Sequence, residues 1–198
     1  MKKANLSLLA SAVLAGSMVA STAAVAMDRG EMLANTCAGC HGPGGISHGP
    51  ATPSIAGNSN TYFVESMEAY KSGERPSTIM GRIAKGYSTA DFEAMATYFA
   101  AQKYISAEQS TDASMAKVGE KLHDKYCEKC HAEAGKQAED ESGFLAGQWK
   151  PYLQYNLHDF AVSKNREMPK KMATKLNELY EKHGQEGLDQ LVEFYATK

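Results

Sequence analysis

The apolar positions of this chain fall into short helical stripes separated by turn-forming stretches. Phe92, Met95, Ala96 and Phe99 recur at i, i+3, i+4 and i+7, the spacing of one face of an α-helix. Leu188, Leu191, Val192 and Tyr195 repeat that spacing near the C-terminal end. Ser88-Thr89-Ala90-Asp91 predicts a capping box ahead of the first stripe, with Asp in place of the usual Glu. Residues 28–36 and 113–126 read as helices, and 62–71 as a shorter one ended by Ser72-Gly73. Gly42-Pro43-Gly44-Gly45 and the prolines at 50 and 53 predict loop, as do Gly184 and Gly187 for residues 181–187. Residues 103–112 are polar with little periodicity and predict a linker. No run alternates long enough to predict a sheet, so the expected class is all-α.

The pattern occurs twice. Cys37-Ala38-Gly39-Cys40-His41 and Cys127-Glu128-Lys129-Cys130-His131 stand 90 residues apart, and Ile55-Ala56-Gly57-Asn58 matches Leu145-Ala146-Gly147-Gln148 at the same offset. Tyr98-Phe99-Ala100 resembles Phe194-Tyr195-Ala196, where the offset has grown to 96. Two tandem halves are expected, residues 27–106 and 107–198, behind a leader of residues 1–26. Each half is small for an independent apolar core, and a bound apolar body would help to fill it.

The leader has Lys2 and Lys3, an apolar run over about residues 6–20, and small residues at Ala24-Val25-Ala26. That order predicts a secretory signal peptide cut after Ala26. The apolar run is shorter than the ~20 residues that span a bilayer, and no later stretch is long enough. Removing Lys2 and Lys3 from the 21 basic residues leaves 19 against 23 acidic ones, a charge of about −4. With no basic block, a nucleic-acid partner is not expected. The expected location is the periplasm.

An oxidising compartment favours disulfides, but both cysteine pairs are followed by His. C-x-x-C-H is the attachment pattern of c-type haem: Cys37, Cys40, Cys127 and Cys130 would bind two porphyrins covalently, and His41 and His131 would ligate the irons. A redox dithiol or a zinc site leaves both histidines unexplained. A ligating His needs an acceptor for its second nitrogen; the Pro53 carbonyl is expected for His41 and Gly143 for His131. Methionine on the opposite side closes the site and raises its potential. Met80, between two helices, is expected at the first iron, whereas Met67 and Met95 sit on core stripes. At the second, Met168, just before Pro169, is preferred to Met172. Trp149, the single tryptophan, is expected to offer its indole N–H to a haem carboxylate.

Two such halves in tandem resemble the dihaem cytochrome c4 family of class I cytochromes c. The marks are the Ile55-Ala56-Gly57 and Leu145-Ala146-Gly147-Gln148 turns and Met80 ahead of Ile83-Ala84-Lys85-Gly86. The chain is similar over nearly all of residues 27–198 to the dihaem cytochrome subunits of flavocytochrome c sulfide dehydrogenases, through residues 27–36, 77–91, 121–131, 145–155 and 170–176. The resemblance implies a separate FAD-bearing subunit that oxidises sulfide, from which this chain takes electrons and passes them to a downstream acceptor. The chain itself has no Gly-x-Gly-x-x-Gly for a flavin and no spare Cys, so no catalysis is expected of it alone. The alternatives are a free cytochrome c4-like carrier and a dihaem peroxidase. Tyr87, Tyr152 and Tyr155 are candidates for an aromatic docking surface.

Overall fold

The computed structural model describes residues 28–136 and 142–198; the expected leader and its cleavage point lie outside them. Among the described residues nine α-helices follow in order: α1 (Arg29–Ala34), α2 (Ala38–His41), α3 (Asn60–Ser72), α4 (Met80–Ala84), α5 (Thr89–Ala100), α6 (Ala113–Tyr126), α7 (Ala132–Gly135), α8 (Lys150–Ala161) and α9 (Lys170–Ala196). Among the described residues there is no strand, and the all-α expectation holds.

Local sequence explains the boundaries. Asp28 caps α1 by accepting from the Gly30 N–H, Ser59 caps α3 through the Tyr62 N–H, and Gly73 ends α3 in the left-handed region. Ser88 and Asp91 form the expected capping box at α5. The expected helix over 28–36 is α1, continued by a 3-10 turn at Asn35–Cys37 that leads into α2. The expected loop at 181–187 is corrected. α9 runs through it, bent at Gly184, whose φ of 58° and ψ of −151° only glycine adopts readily. Gly187 stays helical and buried.

Each half closes by crossing its first helix over its last. α1 packs on α5 and α6 on α9, and a glycine sits at each crossing. A Cβ on Gly30 would overlap the carbonyl oxygen of Ala94, and one on Gly119 that of Gln190. The stripe Phe92, Met95, Ala96 and Phe99 fills the first core; Leu188, Leu191, Val192 and Tyr195 fill the second.

The glycine turns then pin the loops to the last helices. Gly57 donates its N–H to the Phe99 carbonyl and Gly147 to that of Tyr195, both at 2.8 Å. The Gly45 carbonyl accepts from the N–H groups of Ile55 and Ala56, and the Gly135 carbonyl from those of Leu145 and Ala146.

The connecting stretch is not loose. Tyr104 donates its hydroxyl to the Ala146 carbonyl and Ala107 its N–H to that of Gly147, both at 2.8 Å. The Gln109 amide bonds to both the Gln148 carbonyl and the Lys150 N–H. The buried Gln148 amide reaches across to the first half, accepting from the Ser54 N–H at 3.1 Å and donating to the Ser54 carbonyl at 2.7 Å.

Candidate functional site

Cys37 closes the 3-10 turn, and Cys40 and His41 lie on α2. His41 is buried, and its Nδ1–H donates to the Pro53 carbonyl at 2.9 Å, the acceptor the sequence suggests. That bond leaves Nε2 as the lone-pair nitrogen. Burial draws the His41 pKa down against the Pro53 bond, which raises it, so the imidazole stays in the neutral form that ligates metals. Met80 is the first residue of α4 rather than a loop residue. It lines a slot of about 90 Å³ together with Cys37, His41, Phe63, Met67 and Tyr70. Met67 and Met95 are buried in the core, as expected.

The second cavity is larger, about 1220 Å³, and is bordered by Cys127, Cys130, His131, Leu157, Met172 and Leu176. The His131 pKa is also lowered, mainly by burial and then by nearby His123. Its Nδ1 is buried with no hydrogen-bond partner among the described residues, so Gly143 does not fill the expected role. Met168 and Met172 both pack on the second core, but only Met172 stands in the cavity wall.

The Trp149 expectation is corrected. Its indole N–H donates to the Ser47 carbonyl at 3.3 Å, and its ring lies so near Gly49 that a Cβ there would come within 2.6 Å. The donor is used across the two halves, and Trp149 borders neither cavity. Tyr152 is corrected as a docking candidate, because its hydroxyl is buried against Arg75 at 3.1 Å. Tyr155 is 63% exposed.

Sequence reasoning missed the wall between the two cavities. Tyr62, Ser66, Arg75, Gly143, Phe144 and Tyr152 border both of them. Arg75, in the turn between α3 and α4, is 7% exposed and donates to Ser66 Oγ at 3.0 Å, Tyr152 Oη at 3.1 Å and Asn156 Oδ1 at 3.2 Å. Arg166 donates to the same Asn156 oxygen. Burial pushes the Tyr62 hydroxyl up, but the charges of Arg75 and Arg166 outweigh it and hold the group below the ordinary tyrosine range. An isolated Arg in a turn carries no periodic signal, so only the folded chain reveals its burial. His123 was also missed: it is buried, with one ring nitrogen on Tyr195 Oη at 2.9 Å and the other on the Glu128 carboxylate.

The residues fit haem c. Each half offers two unpaired thiols, a neutral imidazole and an apolar cavity beside them, and the orphaned His131 nitrogen belongs to a side chain whose other nitrogen is free to ligate. Bound haem would supply a one-electron couple, with Cys37, Cys40, Cys127 and Cys130 placed to hold it and His41 and His131 to ligate its iron.

Comparison with known proteins agrees. The profile of the Cytochrome c family matches residues 27–113. The cytochrome subunit of sulfide dehydrogenase from Chlorobaculum tepidum is 45% identical over 75 residues, covering 38% of this chain and 67% of that protein. Cytochrome c4 from Stutzerimonas stutzeri is 31% identical over 152 residues, covering 67% and 71%. The crystal structure of reduced cytochrome c4 from Pseudomonas stutzeri superimposes with a TM-score of 0.72 at 26% identity, over 84% of this chain and 95% of that one. With two Cys-x-x-Cys-His sites in one all-helical repeat, the chain belongs to the cytochrome c family as a tandem, dihaem member of the cytochrome c4 type, an electron-transfer protein with covalently bound haem c.

Proposed function

We propose that this chain is the dihaem electron-transfer subunit of a periplasmic complex, taking electrons from an FAD-containing sulfide-oxidising subunit and handing them to a downstream acceptor. The observation that carries the electron-transfer part is the pair of Cys-x-x-Cys-His cavities sharing one wall. The identity to the sulfide dehydrogenase cytochrome subunit supports the choice of partner. A flavin oxidising sulfide gains two electrons together, and a haem iron takes one, so two centres match its output. The division proposed is residues 27–106 and 107–198, after removal of a signal peptide at Ala26.

Each centre is closed on both sides in this reading. Cys37, Cys40, Cys127 and Cys130 would anchor the haems, and His41, His131, Met80 and Met168 would ligate the irons. Met80 at the mouth of α4 and Met168 just before α9 hold comparable places, each at a chain entry into a helix. Met172, in the first turn of α9, then forms wall. Closed ligation lets the iron change charge with little rearrangement and keeps sulfide off it.

A second reading rests on another relative. The thiosulfate dehydrogenase electron acceptor of Stutzerimonas stutzeri is 39% identical over 67 residues, covering 32% of this chain and 31% of that protein. Reconstitution decides between them. The isolated holoprotein is expected to show no sulfide oxidation, and adding the flavoprotein to produce sulfide-dependent reduction of both haems. Activity of the isolated chain, or reduction only by a thiosulfate-oxidising partner, refutes the sulfide assignment. Intact mass tests the processing: a chain starting at Met27 with two haems is expected.

A further inference from the structure

We infer that Glu128, held by His123 and Tyr195, places a fixed negative charge beside the second centre alone, lowers that centre's potential, and so biases electrons toward residence on the first. This rests on haem being held at Cys127 and His131 and is independent of which partner supplies the electrons.

The three side chains form one line into the protein. Glu128 stands between the two cysteines of the second motif, and its side chain is 44% exposed. Its carboxylate bonds to Nε2 of His123, which is 1% exposed. An ionised carboxylate needs a donor opposite it, so Nε2 carries the proton and Nδ1 is left to accept from the Tyr195 hydroxyl at 2.9 Å. Tyr195 is buried as well, and its hydroxyl also reaches the Cys127 sulfur. With its hydrogen turned to His123, it meets that sulfur with oxygen lone pairs. Cys127 and Tyr195 both border the larger cavity. The line therefore carries the carboxylate at its outer end and a partial negative charge at its inner end. The bond to His123 above all, and the Ala134 N–H after it, hold the Glu128 carboxyl below the ordinary range, so the group is ionised at neutral pH. Burial of His123 and Tyr195 keeps water out of the path to Cys127, and a charge acts more strongly through such a medium than through water.

The first half has no counterpart. Leu33, Ala38 and Phe99 stand at the equivalent places, and none of them ionises. The charge thus falls on one of two similar centres. A nearby anion favours the oxidised, more positive iron, so the second centre gives up its electron more readily.

Capping a turn is the competing role. Glu133 and Ala134 have φ of 53° and 59°, left-handed values that are unfavourable for residues with a side chain. The Ala134 N–H donates to the Glu128 carboxylate at 3.4 Å. A carboxylate serving only that turn matters to stability and not to the iron.

The test uses the isolated dihaem protein with chemical mediators and no partner, so its outcome is separate from that of the sulfide assignment. Haem methyl signals in nuclear magnetic resonance, followed through a redox titration, give the potential of each centre. Glu128→Gln keeps the shape and an acceptor for His123 but removes the charge. It is expected to raise the second potential and leave the first in place, and Glu128→Asp, which keeps the charge, to shift the second potential far less. An unmoved second potential overturns the proposal, because the carboxylate then only caps the turn or is cancelled by a second proton on His123. Equal shifts at both centres overturn it too, since the charge then favours neither. If Glu128→Gln does not fold, His123→Leu decides: it releases the carboxylate to solvent, and a second potential that does not rise refutes the proposal.

Discussion

The two halves use one scaffold and differ in what they place behind the first cysteine. In the first half the equivalent positions are Leu33, Ala38 and Phe99; in the second they are His123, Glu128 and Tyr195. The apolar set needs nothing further. The polar set is buried at two of its three positions, yet His123 bonds through both ring nitrogens, to Tyr195 and to Glu128, and packs on Phe194 at 5.2 Å. A core position therefore accepts either an apolar side chain or a fully satisfied polar one, as the rule for buried polar groups requires. The helix crossing is less tolerant: both halves keep a glycine there.

That contrast can be broken most severely at the crossings. Gly119→Ala is expected to cost at least about 3 kcal/mol, the upper part of the range for overpacking. Its Cβ would collide with the rigid backbone at Gln190 and stand 2.8 Å from Phe194 Cβ. Gly30→Ala should destabilise the first half for the same reason, and urea unfolding followed at the two haem bands measures both. Equal stability of either variant and the unsubstituted protein would show that the crossing can open.

The next effect is spectroscopic. Met80→Ala and Met168→Ala are each expected to leave haem attached but turn one centre high-spin with a lowered potential. Met95→Ala should cost roughly 2–5 kcal/mol, as buried Met truncations do, without changing the spectrum. If Met172→Ala turns the second centre high-spin and Met168→Ala does not, the residue in the cavity wall is the ligand.

A smaller change is expected from His123→Leu, which makes the second half resemble the first. It removes two hydrogen bonds and leaves the Tyr195 hydroxyl with the Cys127 sulfur alone, for a net loss of about 1–3 kcal/mol in thermal or urea unfolding. The replacement Leu33→His lacks partners and should be worse tolerated than its mirror.

The smallest effect belongs to Asp91. Hydrogen bonds from the Ser88 N–H and hydroxyl, followed by Arg29, hold its carboxyl at about 2 against an ordinary 3.8. A depressed acid stabilises the fold above its unfolded value, and that contribution is lost as pH falls from about 4 through about 2. Gly187 stands at the equivalent position of the second half, so Asp91→Asn should flatten the acid response of the first half alone, read by circular dichroism and the first haem's band.

The repeat, the helix class, the capping box and the Pro53 acceptor were legible because each depends on local chemistry: fixed spacing, a cap residue, a proline loop close behind His41. What escaped depends on tertiary approach. Gly184 and Gly187 look alike in sequence, yet one bends α9 and the other remains helical and buried. Trp149 calls for a partner on its indole, but which oxygen supplies it is decided by the juxtaposition of the halves at Ser47. Arg75 and His123 are polar residues inside the protein, and nothing in their neighbours along the chain marks them.

The Gln148 amide, clasping both sides of the Ser54 peptide from the far half, has a kinetic consequence. Reaching such a bond pair requires the two lobes to hold one relative orientation, and the zipped stretch through Tyr104 and Gln109 removes slack from the tether. An electron moving between the centres then crosses a constant gap and waits for no swinging of one lobe toward the other. Its transfer time should be insensitive to added glycerol, whereas encounter with a separate acceptor should slow in proportion to viscosity.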